Sequence, residues 1–335
     1  LKGAGRALES EAVVGRARAL VTIDSPDPDQ LMLAELLYST RQWAEAATWY
    51  ARLLPPGTLS ELHNRLLSCY VRSHNRRKAK DLLSRLPLEW IENDDTRSLA
   101  IDLGQQAGDW TFLQPLAEAQ VRKKPLLAKS WLFKLLVALH ASTPAQFQAD
   151  LRGVPESLDG SIRTLAQLSS FELRYGEPER ALRRLYRMAR VNFDEAEALS
   201  VYFLSIVTGP ADLPLMNEKL QVVVVGSAVT LVDEQGHTFQ VIVDPDHVAD
   251  APKREGFYAP TSEEAIALLG AELGQAVDVP TQAFGGVRRF TVSAILSAYR
   301  RMIHLAQERA HSLSGLPNMK SVTVGTSGDV DKDFA

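Results

Sequence analysis

The feature that most constrains this chain is a spacing. Small or apolar residues recur at Ala46, Ala79, Leu113, Phe147 and Ala181, at intervals of 33, 34, 34 and 34 residues. Each sits in a stretch of helical periodicity with turn-forming residues ahead of it, so the repeating unit reads as a pair of helices. Other positions travel with it: Leu33, Leu37 and Tyr50 in the first unit, and Leu66, Tyr70 and Leu83 in the second. Gly108-Asp109-Trp110 and Tyr175-Gly176-Glu177 fall at the interhelix turns of the third and fifth units. The fourth unit is the least regular, with Phe147 where a small residue is expected and Lys134 at a core position. A single helix pair cannot bury its apolar face. Stacked pairs share one core and leave a concave face.

This period and these positions resemble tetratricopeptide repeats, and the resemblance implies an all-α superhelical array over residues 1–207. Leu1–Val21 reads as a charged amphipathic helix, and the proline-containing Asp24–Asp29 separates it from the repeats. Asp194–Val207 supplies an apolar helix suited to cap the stack. In this register the first helices turn Glu35, Tyr38, Asn64, Ser68, Asp102, Gln105 and Lys129 to the groove. Polar groups in such a groove suit an extended peptide or helix of a protein partner. All five tryptophans, Trp43, Trp49, Trp90, Trp110 and Trp131, lie in this helical region. Trp43 and Trp110 stand at repeat turns, where core packing is the favoured reading.

After the boundary at Thr208–Pro214 the periodicity changes. An apolar run broken at Gly226-Ser227 reads as one strand, and Thr238–Val243 as a second, reached over the turn residues Asp233–Gly236. Thr261 with Glu264 has the form of a capping box for a short helix, and Gly270 suits the position just past its end. Ala276–Val279 and Arg289–Leu296 read as two further strands around a turn at Phe284-Gly285-Gly286. Four strands with one helix on them make a small α+β domain.

VVVGSAVTL, the L-L-G-x-x-x-G-x-x-V-x-V of Leu268–Val279, the Gly-Gly turn and the closing strand resemble the C-terminal domain of the GreA/GreB transcription elongation factors. The likeness covers Leu215–Tyr299. It implies an FKBP-like fold and contact with RNA polymerase through the sheet edge and the loop Phe257–Glu264, including Phe257, Tyr258, Ser262 and Glu263. The family usually opens the short helix with Ser-Pro; here Ser262 is followed by Glu263, which still suits the positive end of the helix dipole. The long coiled-coil hairpin with which Gre factors stimulate transcript cleavage has no counterpart in the residues before this domain. The combination is similar to bacterial proteins that join tetratricopeptide repeats and a Gre C-terminal domain to a PIN-type nuclease. Its carboxylate cluster is not found in these residues. The alternative this raises is a regulatory arm of a nuclease toxin or defence system, with the Gre-like fold as an internal interface. Prolyl isomerase activity is a weaker implication, since it needs an aromatic-lined pocket from Phe239, Phe257, Tyr258, Phe284, Phe290 and Tyr299.

With 45% apolar and 23% charged residues, the 335-residue chain has an ordinary globular composition and room for two or three domains. A net charge of −4 argues against a general nucleic-acid-binding surface, leaving direct nucleic-acid contact to local patches. The clearest patch is a stripe, Arg180, Arg183, Arg184 and Arg187, with Arg190 beyond; Arg76, Arg77, Lys78 and Lys80 form a weaker run. The stripe could meet phosphate or an acidic partner, but solvated arginines are the favoured reading. Cys69 reads as a buried small hydrophobe. Asp244, Asp246 and His247 read as turn formers after a strand. Asp329, Asp331 and Asp333 lack the glycine and glutamate of a calcium loop. No nucleophile elbow, phosphate loop or metal-ligand spacing is found, so the sequence points to a non-catalytic protein needing no cofactor or metal. No run spans a membrane, and a cytoplasmic location follows from the class. Ser312–Ala335, after a helix in residues 300–311, reads as a linker or the edge of another domain. With no initial methionine, the chain reads as a segment of a longer polypeptide.

Overall fold

The computed structural model describes residues 2–54, 60–209, 213–217, 219–246, 256–281 and 286–312. The Phe284-Gly285 part of the expected turn, His247, and the Asp329–Asp333 series lie outside the described residues. A helical N-terminal region is followed by a region built on a five-stranded mixed sheet. The chain divides into two compact units: residues 1–125 with 133–150, and residues 126–132 with 151–335.

In the first unit α1 (Lys2–Leu20) precedes three helix pairs: α2 (Asp27–Ser39) with α3 (Trp43–Leu53), α4 (Glu61–Arg72) with α5 (Arg76–Arg85), and α6 (Asp94–Ala107) with α7 (Trp110–Lys123). Residues 133–150, from α8 (Ala128–Ala141) and α9 (Pro144–Gly153), complete the unit. The spacing marker of each second helix is buried: Ala46, Ala79 and Leu113 are 0% exposed and Phe147 5%. Helices of adjacent pairs pack on one another, α3 on α4 and α4 on α6, and bury Leu33, Leu37, Tyr50, Leu66, Cys69 and Leu103 in one core. Lys134 escapes the cost of its core-like position by pairing with Asp150 at 2.9 Å.

The interhelix turn repeats in geometry more closely than in sequence. A residue with positive φ ends the first helix of four pairs: Arg41 (64°), His74 (56°), Gly108 (62°) and Gly176 (104°). The next residue in each case donates its backbone N–H five residues back: Gln42 to Leu37, Asn75 to Tyr70, Asp109 to Gly104, and Glu177 to Glu172, all at 2.8–2.9 Å. Asn75 and Asp109 then cap the following helix, accepting the backbone N–H of Lys78 and Phe112. Glycine takes the left-handed conformation freely; a side chain there costs about 1–2 kcal/mol.

In the second unit, α10 (Ile162–Tyr175) and α11 (Pro178–Val191) form a further pair, with Ala181 0% exposed, followed by α12 (Ala196–Val207) and the short α13 (Pro214–Asn217). The strands are β1 (Ser227–Asp233), β2 (Thr238–Val243), β3 (Phe257–Tyr258), β4 (Ala276–Thr281) and β5 (Gly286–Ser297). They run in the order β3-β2-β1-β5-β4, antiparallel except for β2 with β3. The short α14 (Glu263–Leu268) covers one face, burying Ala265 and Leu268 against Val229, Leu231, Val241, Val277 and Val292. At the other face Ala228 and Ile242 share a core with Leu182, Tyr186, Tyr202 and Met302, from α11, α12 and α15 (Ala298–Ser312). Because neighbouring strand residues point to opposite faces, Val241, Ile242 and Val243 are all buried, which is why the sequence there is an unbroken apolar run.

Three local expectations are corrected. The first strand begins only at Ser227, because Gly226 turns the chain at φ 91°. The residues before it instead meet the loop after α14, where Val223 donates to the Ala271 carbonyl and accepts from the Gly270 N–H. The cap of α14 is Ser262, whose Oγ accepts the Ala265 N–H; the helix starts one residue later than a Thr261–Glu264 box requires, and Glu264 is buried. Phe257–Tyr258, read as a loop, pairs with β2 as a fifth strand. Leu213 and Met216 lie in the core shared by α11, α12 and α15.

The strained turns give a paired prediction. His74→Gly should stabilise the chain by about 0.5–1 kcal/mol, and Gly108→Ala destabilise it by about 1 kcal/mol, in urea unfolding. Equal effects of the same sign would contradict the shared turn geometry.

Candidate functional site

Four of the residues read as groove-facing lie together in the first unit. Glu35 and Tyr38 on α2 face α4, where the Tyr38 and Ser68 hydroxyls are 3.0 Å apart and Arg65 approaches Glu35 at 3.6 Å. The Arg65 guanidinium also lies 4.8 Å from the centre of the Tyr38 ring, and Arg72 both donates to Ser68 and covers the Trp43 ring at 4.9 Å. Asn64 accepts from the Thr96 hydroxyl on α6 at 2.6 Å. The result is a band of hydroxyl, amide and guanidinium groups held by aromatic rings, in which Ser68 and Thr96 are buried, Glu35, Tyr38, Asn64 and Arg65 half-buried, and Arg72 exposed. Asp102 and Gln105 are exposed on α6 with no partner among these residues; Lys129 is exposed and belongs to the second unit. Trp43 and Trp110 are half-buried packing residues: Trp43 meets Tyr38 edge-on at 4.9 Å, and Trp110 stacks on His140 at 4.2 Å. Burial pushes the Cys69 thiol up to about 12, so it is no nucleophile at neutral pH.

The arginine stripe on α11 is divided in its roles. Arg184 is buried and fully engaged: it forks onto the Glu172 carboxylate at 3.0 and 2.7 Å and donates to the carbonyls of Pro155 and Glu156 at 2.9 Å. Arg190 is buried as well. Its Nε donates to Asp244 at 2.9 Å, and its guanidinium lies 4.2 Å from the centre of the Phe257 ring. These two are internal struts, not the solvated arginines that the sequence suggested. Arg180, Arg183 and Arg187 remain half-buried at the surface beside Arg184 and share a cleft with Glu156 and Asp246.

Asp244 is the residue whose role the sequence concealed. It does form the turn after β2, accepting the Asp246 N–H at 3.3 Å, but it is also 0% exposed and held by Arg190 and by the Tyr186 hydroxyl at 3.1 Å. Burial, with this carboxylate alongside, pushes the Tyr186 hydroxyl well above its ordinary value, so it stays a donor. The available signal was the aspartate's position directly after Val241–Val243, a run buried on both faces.

Of the loop expected to face polymerase, Phe257 packs edge-on against Phe193 at 5.5 Å beneath Arg190, and Tyr258 lies half-buried against the core under α14. Ser262 is occupied as a helix cap and Glu263 is exposed. What α14 offers outward is apolar: Ile266 is 59% exposed and Leu269 37%, with Leu273, Val222 and Val224 also exposed. Among the described residues no group of three or more His, Cys, Asp or Glu side chains is placed to hold a metal ion, and no helix is long and apolar enough to cross a membrane. No protein-family model matches the chain, and no curated protein matches it significantly.

Removing one partner of a buried ion pair strands the other's charge. Asp244→Asn should therefore cost about 3 kcal/mol in urea unfolding, whereas Glu263→Gln should be neutral within about 0.5 kcal/mol. A loss below about 1 kcal/mol for Asp244→Asn would show that Arg190 finds other compensation.

Proposed function

We propose that this chain is a non-catalytic interaction scaffold. Its helix pairs act as tetratricopeptide-type repeats with a groove for an extended segment of a protein partner. Its sheet region acts as a Gre-type, FKBP-like module that contacts RNA polymerase. The observation that carries the reading is the recurrence of one turn, a left-handed residue followed by a bond five residues back, at Arg41, His74, Gly108 and Gly176, which is one repeat apart for the first three and two repeats apart for the last. Such arrays expose a long concave surface and commonly serve as binding scaffolds. The polar band around Tyr38, Ser68, Arg65 and Arg72 suits a peptide bearing carboxylate and hydroxyl groups.

Support for the polymerase module comes from the order of elements, three strands, a short helix and two strands, which keeps the expected helix between two strand groups, and from glycines at φ 84° and 83° at Gly270 and Gly274, both in the sequence pattern that resembles Gre factors. Phe257 and Tyr258 are internal, so the contact surface in this reading is the exposed side of α14, with Glu263, Ile266 and Leu269. An apolar group of this kind, rimmed by charge, is a common docking feature.

The full chain should bind purified bacterial RNA polymerase in surface plasmon resonance, and Ile266→Asp with Leu269→Asp should weaken binding at least about tenfold, or ~1.4 kcal/mol. Both side chains are exposed, so thermal stability should hold. Absence of binding by the full chain, or binding indifferent to these substitutions, would refute the polymerase contact.

A further inference from the structure

The cleft on α11 contains more hydrogen-bond donors than the protein uses. Glu156, Arg180, Arg183, Arg184, Arg187 and Asp246 line it. Arg184 forms its floor and is spent on Glu172 and two carbonyls. The other three guanidiniums are underused. Arg180 donates from Nη1 to the Arg152 carbonyl at 2.9 Å, but its Nε is buried with no acceptor, since Glu172 stands 3.6 Å away and is already forked by Arg184. Arg183 reaches Glu156 and Glu179 only at 3.7 and 3.8 Å, beyond hydrogen-bond distance, and those carboxylates are 72% and 52% exposed. Arg187 makes no hydrogen bond and no ion pair within 4 Å among the described residues, and the charge it acts on is Asp246 across the cleft.

From this arrangement we propose that the cleft binds a phosphate group, held by Arg180, Arg183 and Arg187. The three residues stand at i, i+3 and i+7 on one helix face, so their donors converge on one site from successive turns. A tetrahedral phosphate monoester offers three terminal oxygens for three guanidiniums; a carboxylate offers two. The acidic wall does not close the site. Glu156 is exposed enough to swing into solvent, and the Asp246 carboxyl, which burial raises above its ordinary value, is opposed in that rise by Arg187 and Arg183 and so has its charge balanced within the cleft. This inference is independent of the polymerase contact, since it involves no residue of α14.

The test is isothermal titration of the full chain with inorganic phosphate and, separately, with adenosine monophosphate, in a low-salt buffer near pH 7. Saturable binding of either is expected, weakened at least about tenfold by Arg187→Gln or Arg183→Gln with melting temperature unchanged. Glu156→Gln, which removes a competing acceptor, should tighten it. Tighter binding of the nucleotide than of phosphate would identify a nucleotide as the source of the group; equal binding would identify the phosphate alone. No saturation up to about 10 mM of both probes, or binding unaltered by Arg187→Gln and by Glu156→Gln, would overturn the proposal.

Discussion

The second unit depends on a carboxylate removed from water. Asp244 ends β2 at a point where the strand is buried on both faces, and a charge there is tolerable only with partners already in place. Arg190 and Tyr186, four residues apart on α11, supply them. The same pair of side chains reaches other elements: Arg190 lies on Phe257 of β3, and the Tyr186 ring meets Tyr299 of α15 edge-on at 5.1 Å. Tyr299 in turn gives its backbone carbonyl to the Tyr202 hydroxyl on α12 at 2.7 Å. One polar cluster thus fixes where three helices meet the end of the sheet, and the apolar core around it adds the energy. Arg184 with Glu172 does the equivalent work between α11 and α10.

The helical repeats rest on a different economy. Four of the pairs share one tight reversal whether or not glycine is present, while α8 and α9 are joined without it. Gly108 and Gly176 fit the left-handed position without cost; Arg41 and His74 occupy it at some expense, offset by burial of Ala46 and Ala79 in the next helix. Packing therefore sets the turn, and turn chemistry follows where it can.

That economy explains what was legible in the sequence. The spacing of Ala46, Ala79, Leu113 and Ala181 could be read because close helix packing demands small or apolar groups there. The bounds of β2 and the place of Gly270 could be read because a short apolar run reached over turn residues and a left-handed glycine are local signals. The cap of α14 falls one residue after the one the sequence suggests, since Thr261 and Ser262 offer the same chemistry and only backbone geometry separates them. The fates of Arg184 and Arg190 could not be read, because their partners Glu172 and Asp244 are 12 and 54 residues away. For the same reason a stripe that looked uniform contains two struts and three arginines with donors to spare. The packing of Phe257 against Phe193 was equally non-local.

Through the Asp244 cluster, α11, α12, α15 and the sheet should fold as one cooperative unit. Native-state hydrogen exchange on the full chain tests it most directly. The slowest amides of α11 and α12 should exchange with the same opening free energy as those of β1 and β5, within about 1 kcal/mol. Sheet amides that open at least about 2 kcal/mol more easily than those of α11 would show the sheet unfolding alone, and would contradict the account.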